Sequence, residues 1–149
     1  MMWYIRTLPA LTERSNEMKE GTPDINALKK RFTDIYTENV KREGADRLLE
    51  YLLSSKSDFF TAPASTRYHG SYEGGLLEHS LNVYDCLCDY LDRPRVKELY
   101  GLTADNETRA VIALLHDICT VNFYKTDFRN AKTDQGVWDK VPYYTIDDR

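Results

Sequence analysis

The chain of 149 residues is expected to fold as a mainly α-helical bundle that ends in a small β-hairpin. Three observations carry that expectation. Apolar residues recur at helical spacing from about Asp24 to Thr120. Residues that start and stop helices punctuate that stretch at Pro23-Asp24, Gly44, Gly74-Gly75 and Thr103-Ala104-Asp105. From Val121 onward the composition turns aromatic and β-branched around Asp134-Gln135-Gly136, the pattern of two strands and a tight turn.

Taken in order, residues 1–23 are mixed in character and broken by Pro9, Gly21 and Pro23, so they read as an N-terminal arm, a short strand or extended piece followed by a loop. Thr22-Pro23-Asp24 then announces a helix to about Arg42, with Ile25, Leu28, Phe32, Ile35 and Tyr36 on one face and Gly44 closing it. A second helix carries Leu48, Leu49, Tyr51, Leu52 and Leu53 and stops before Phe59-Phe60-Thr61-Ala62-Pro63. Thr61 to Gly75 is a loop rich in Ser, Gly, Tyr and Pro, with Gly74-Gly75 letting the backbone turn tightly into the next element. The third helix, about Gly75 to Leu91, is expected to pack through Leu77, Leu81, Tyr84, Leu87 and Leu91. A short helical piece covers Arg95 to Tyr100. The fourth long helix starts at a Thr103-Ala104-Asp105 cap and presents Ala110, Val111, Leu114, Leu115 and Ile118, which places His116-Asp117 in its last turn. Val121–Tyr124 and Val141–Ile146 form the hairpin, with Trp138 anchoring the second strand. The expected organisation is one domain over 1–149, with an arm (1–23), a helical core (24–120) and a hairpin (121–149).

A content of 42% hydrophobic and 30% charged residues describes a chain able to bury a core and excludes a disordered one. No apolar run approaches the length of a membrane span, and Met1-Met2-Trp3-Tyr4-Ile5-Arg6-Thr7 lacks the basic-then-apolar order of a secretory signal. A cytoplasmic protein with no membrane partner is therefore expected. Cys86, Cys88 and Cys119 form no C-x-x-C pair and leave an odd count, consistent with reduced thiols; Cys119 is either a small core filler or a soft contact near the site described next. The net charge of −4 gives no global attraction to nucleic acid, so a polynucleotide would need a local basic patch.

The most informative residues are His79, in Leu77-Glu78-His79-Ser80-Leu81, and His116-Asp117, after Ala113-Leu114-Leu115. A lone histidine at such a position is ordinarily a satisfied core or cap residue. An adjacent carboxylate and imidazole at the end of an apolar helix need a partner to offset their desolvation, and a divalent cation is the simplest. Donors of this type suit Mn, Fe, Ni, Zn or Mg, so His79, His116 and Asp117 are the expected metal ligands.

These residues carry a resemblance. His79 followed by His116-Asp117 on a later helix is similar to the H…HD pattern of the HD-domain superfamily of metal-dependent phosphohydrolases. The segment Tyr68-His69-Gly70-Ser71-Tyr72-Glu73-Gly74-Gly75-Leu76-Leu77-Glu78-His79-Ser80-Leu81 resembles the H-x-x-Y-x-G-G-L-L-E-H-[ST]-L stretch of the HD half of bacterial 3′-5′ exoribonucleases and of stand-alone, phage-type HD proteins. The likeness runs from about Phe59 to Tyr124. It implies an HD-domain-like helical bundle and a metal-dependent phosphohydrolase or phosphodiesterase acting on a nucleotide or an RNA or DNA phosphoester. It also implies catalytic roles for Asp117, which bridges two metals or orients the attacking water, and for His69, which faces substrate or gives a proton to the leaving oxygen. Read without the resemblance, His69 is equally a loop histidine bonded to backbone. Asn82, Tyr72 and Lys125 are the expected substrate contacts, with Arg67 and Arg129 the other basic residues near the motifs.

Two departures accompany the likeness. The superfamily pattern closes with an aspartate on a downstream helix, whereas Asp127, Asp134, Asp139, Asp147 and Asp148 all fall in a stretch that reads as strands and turns, as in a C-terminally shortened version. Thr120 stands where such motifs usually carry a lysine able to pair with phosphate. The alternative expectation is a catalytically impaired HD-fold binding or regulatory module lacking the last ligand, or a homo-oligomer or partner chain that completes the domain.

Overall fold

The computed structural model describes residues 24–132 and 135–148; the expected N-terminal arm lies outside the described residues. The fold is mainly α, with five helices, one 3₁₀ turn and a two-stranded antiparallel hairpin among the described residues.

Helix α1 (Ile25–Asn39) starts where the sequence places it, because the Asp24 carboxylate accepts the backbone N–H groups of Asn26 and Ala27 at 3.1 and 3.2 Å. It ends at Asn39 rather than near Arg42. Val40 is extended, and the N–H groups of Lys41 and Arg42 are taken by the Glu107 carboxylate at 2.7 and 2.9 Å. That partner lies 66 positions from Lys41 in the chain, which is why helical periodicity overruns the end. Gly44, at φ +85°, is the left-handed residue that enters α2 (Ala45–Leu53).

Phe59 and Phe60, in the connection after α2, belong to the core. Phe59 is fully buried and Phe60 nearly so, and their rings stand 5.0 and 5.4 Å from that of Phe32 on α1. Such tilted and edge-on aromatic contacts add to the area that each ring removes from water. Helix α3 (Gly75–Asp92) is the centre of the molecule and buries Leu76, Leu77, Leu81 and Leu91. It packs against α5 and α1, and also against α4 (Pro94–Tyr100), whose first residue is the proline that a helix start tolerates.

Helix α5 (Asn106–Leu115) is capped by Asp105, which accepts the Thr108 N–H at 2.6 Å, and it buries Ala110, Ala113 and Leu114. The helix stops at Leu115. His116 is therefore its C-cap and Asp117 lies beyond it at φ −104°, ψ 20°, not in the last turn as the periodicity suggests. The 3₁₀ turn Ile118–Thr120 holds this bend, with the Thr120 N–H and hydroxyl both donating to the Asp117 carbonyl at 3.0 and 2.7 Å.

The hairpin pairs β1 (Tyr124–Lys132) with β2 (Trp138–Ile146), in register from Tyr124↔Ile146 to Lys132↔Trp138. Val121 to Phe123 form a turn instead of the expected strand. Asn122 sits at φ +57°, with its N–H on the Asp58 carboxylate at 2.6 Å and its side-chain amide on the Lys56 carbonyl at 2.8 Å. Lys125 to Lys132 lacks β-branched patterning and becomes a strand through its pairing with β2. Pro142 is tolerated because a two-stranded sheet has only edge strands. Trp138 opens β2 but remains 67% exposed, so it contributes no buried anchor.

Candidate metal centre

The loop before α3 is folded back on the start of that helix. Ala64 N–H donates to the Gly70 carbonyl at 2.8 Å, Gly74 N–H to Thr61 at 3.0 Å and Leu76 N–H to Ala62 at 3.0 Å. The approach is so close that a Cβ on Gly75 would lie 1.9 Å from the Gly70 carbonyl oxygen. Tyr72 closes the same loop by donating its hydroxyl to the Glu78 carboxylate, which together with burial pushes the phenol pKa up to about 12.

This folding sets His69 and His79 side by side, with ring centroids 4.9 Å apart. The His69 carbonyl accepts the Ser65 hydroxyl at 2.9 Å, while its exposed ring makes no hydrogen bond among the described residues. The backbone-bonded alternative thus applies to the peptide group of His69 and not to its imidazole.

His79 on α3 meets His116 and Asp117 at the end of α5 because those two helices pack together. His79 Nε2 lies 3.1 Å from His116 Nε2 and 3.3 Å from Asp117 Oδ2, and His116 Nε2 lies 3.0 Å from the same Oδ2. Three donor atoms thus form a closed triangle with edges of 3.0 to 3.3 Å. Ligands about 2.1 Å from one ion stand roughly 3.0 Å apart on an octahedral face and roughly 3.4 Å apart in a tetrahedron. The triangle fits one face of a single ion's coordination shell.

The protonation states fit as well. His116 Nδ1 is 2.9 Å from the Ala113 carbonyl oxygen, which can only accept, so the proton sits on Nδ1 and Nε2 keeps its lone pair. Burial lowers the His79 pKa, the nearby His116 adds to that, and the Asp117 carboxylate opposes it, so the ring favours the neutral form that a metal requires. The side chains are 24% (His79), 30% (His116) and 37% (Asp117) exposed, leaving room for water and substrate beside them.

The other expected contacts divide. Asn82 is exposed on α3 one turn beyond His79. Tyr72 has its hydroxyl committed to Glu78 and is 42% exposed at the loop surface. Lys125 on β1 faces Asp147 at 3.8 Å and lines a cleft of about 300 Å³ with Asp58, Glu73 and Tyr144, none of which belongs to the triangle. Sequence reasoning missed two supporting groups, the Ala113 carbonyl that orients His116 and the Thr120 hydroxyl that fixes the Asp117 backbone. Both sit three residues from their partners, so a helix ending at Leu115 would have revealed them.

No family model matches the chain, and no solved structure matches it. A curated protein of Methanocaldococcus jannaschii, named dihydroneopterin 2′,3′-cyclic phosphate phosphodiesterase, is 31% identical over 86 residues, which is 58% of this chain and 31% of that protein. The chain therefore spans about a third of the length of the relative. Its similarity is to a phosphodiesterase. No helix among the described residues is long and apolar enough to cross a membrane.

Proposed function

We propose that the chain is a metal-dependent phosphodiesterase of the HD type, acting on a nucleotide-type phosphoester, with a 2′,3′-cyclic phosphate as the first substrate class to test. The observation that carries this reading is the triangle of His79 Nε2, His116 Nε2 and Asp117 Oδ2. The substrate class follows the name of the relative.

His79, His116 and Asp117 would hold a divalent ion, with Mn, Fe, Ni, Zn and Mg all compatible with the donor set. Such an ion, when bound, polarises a phosphoryl oxygen and makes water acidic enough to attack near neutral pH. The chain's own groups do the rest. His116, oriented by the Ala113 carbonyl, and His79, kept neutral by burial, present lone pairs on one side of the site. The carboxylate of Asp117 accepts the proton of the attacking water. As the new P–O bond forms and the ester P–O bond breaks, His69 gives a proton to the leaving alkoxide, yielding a phosphomonoester and a free hydroxyl. The exposed ring of His69 beside His79 suits that role.

Metal content of the purified protein and hydrolysis of adenosine 2′,3′-cyclic phosphate test the reading together. His116→Ala is expected to lose the bound metal and to reduce turnover by at least the roughly hundredfold typical of lost supporting contacts at metal sites. Unchanged metal content in that variant would sink the site. A second reading, a binding module without turnover, is favoured by one observation: among the described residues only three protein donors converge. Stoichiometric metal with no hydrolysis would select it.

A further inference from the structure

A second cleft, of about 280 Å³, opens between the loop before α3 and the hairpin. Thr66 and Ser71 line it from the loop, and Arg129, Pro142, Tyr143 and Tyr144 from the hairpin. Its volume is near the lower end for small-molecule sites, so it suits a monomeric ligand rather than a polymer.

Three polar side chains of this cleft, those of Arg129, Thr66 and Ser71, make no hydrogen bond or ion pair among the described residues. Arg129 has no carboxylate within ion-pair distance among the described residues, and its guanidinium carbon lies 5.4 Å from the centroid of the Tyr143 ring. The acid nearest to it in sequence is engaged elsewhere: Asp127 accepts the Phe128 N–H at 2.7 Å and the Tyr143 hydroxyl at 3.4 Å. Stacking on Tyr143 holds the guanidinium without using any of its five N–H donors. Neither the Thr66 nor the Ser71 hydroxyl has a hydrogen-bond partner among the described residues. A free guanidinium fork beside two free hydroxyls, in a chain of net charge −4, is a local site for an oxyanion, and phosphate matches the fork best. Tyr143, on the same face of the hairpin as Arg129, supplies aromatic surface for a planar ring, while Tyr144, its neighbour on β2, projects to the other face.

The cleft is also tied to the metal centre by the chain itself. Ser71 follows His69 by two residues, at most about 7 Å of backbone, and the His69 ring lies 4.9 Å from that of His79. We propose that this cleft is the substrate-recognition subsite, in which Arg129, Thr66 and Ser71 bind a non-reacting phosphate of a nucleotide, such as its 5′-phosphate, and the Tyr143 ring holds its base. The inference rests on the phosphoesterase reading for its ligand class.

The test compares equilibrium binding of adenosine 5′-monophosphate and adenosine, by calorimetry, to the full chain and to Arg129→Ala. The wild type is expected to prefer the nucleotide. Arg129→Ala should lose about ten- to a hundredfold in affinity for it while binding adenosine unchanged, and Arg129→Lys should recover only part, because an ammonium lacks the fork. Equal losses for nucleotide and nucleoside, no effect of Arg129→Ala, or no nucleotide binding by the wild type would each overturn the subsite. If instead His116→Ala keeps its metal and turnover while Arg129→Ala loses the phosphate preference, the subsite stands and the metal reading fails.

Discussion

Gly70 and Gly75 decide how the loop histidine reaches the helix histidine. Gly70 adopts φ +64°, and a Cβ placed on it would lie 2.7 Å from the Ala64 Cβ; at Gly75 the obstacle is the Gly70 carbonyl itself, a backbone atom that cannot swing aside. Gly75→Ala is therefore expected to cost about 2 to 4 kcal/mol in urea denaturation, through overpacking against backbone, even though alanine is the better helix former. A loss under about 0.5 kcal/mol, the range of ordinary surface substitutions, would mean that the loop does not close on α3 as described.

At the scale of elements, Glu107 joins the end of α1 to the first turn of α5. Its carboxylate accepts the N–H groups of Lys41 and Arg42 and faces the Arg42 guanidinium at 3.5 Å. The Lys41 N–H is the largest cause of a pKa below the ordinary 4.5, with the two contacts to Arg42 adding to it. A carboxylate whose folded pKa is depressed stabilises the fold fully above its unfolded value and stops doing so as pH falls through the folded value. Glu107→Gln should therefore flatten the acid limb of the stability profile below about pH 4.5, which thermal melts from pH 3 to 7 would read. An acid limb identical to that of the wild type would show that the α1–α5 contact does not depend on the charge.

Across the whole molecule, the helices that carry His79 and His116-Asp117 are held mainly by packing. The ion pairs joining helices are open to solvent on at least one side: Arg31 with Asp85 at 2.5 Å is about half exposed at both ends, and Arg109 of α5 meets an Asp92 carboxylate of α3 that is 58% exposed, at 3.1 Å, so each is worth little in water. Leu114, fully buried on α5 two residues before His116, belongs to the same core as Leu77 and Leu81 of α3. Leu114→Ala is expected to cost about 2 to 5 kcal/mol, measured by urea denaturation, and to weaken metal binding as well, since the end of α5 loses its seat on α3. Destabilisation with metal affinity intact would mean that the triangle does not depend on the register of the two helices.

The sequence by itself determined the helical class, a helix start near Asp24, the cap at Asp105, the start of α3 at Gly75 and the hairpin, because each is written in local spacing and in residues with local preferences. It also singled out His79, His116 and Asp117 as a set. Only the tertiary structure decided that their three donor atoms come within 3.0 to 3.3 Å of one another, that α1 ends at Asn39 because Glu107 takes the next two N–H groups, and that Phe59 and Phe60 join the core. Each of those outcomes depends on a partner tens of residues away. Periodicity reports which face of a segment is apolar, whereas a distance between side chains on different segments is set by how the faces meet.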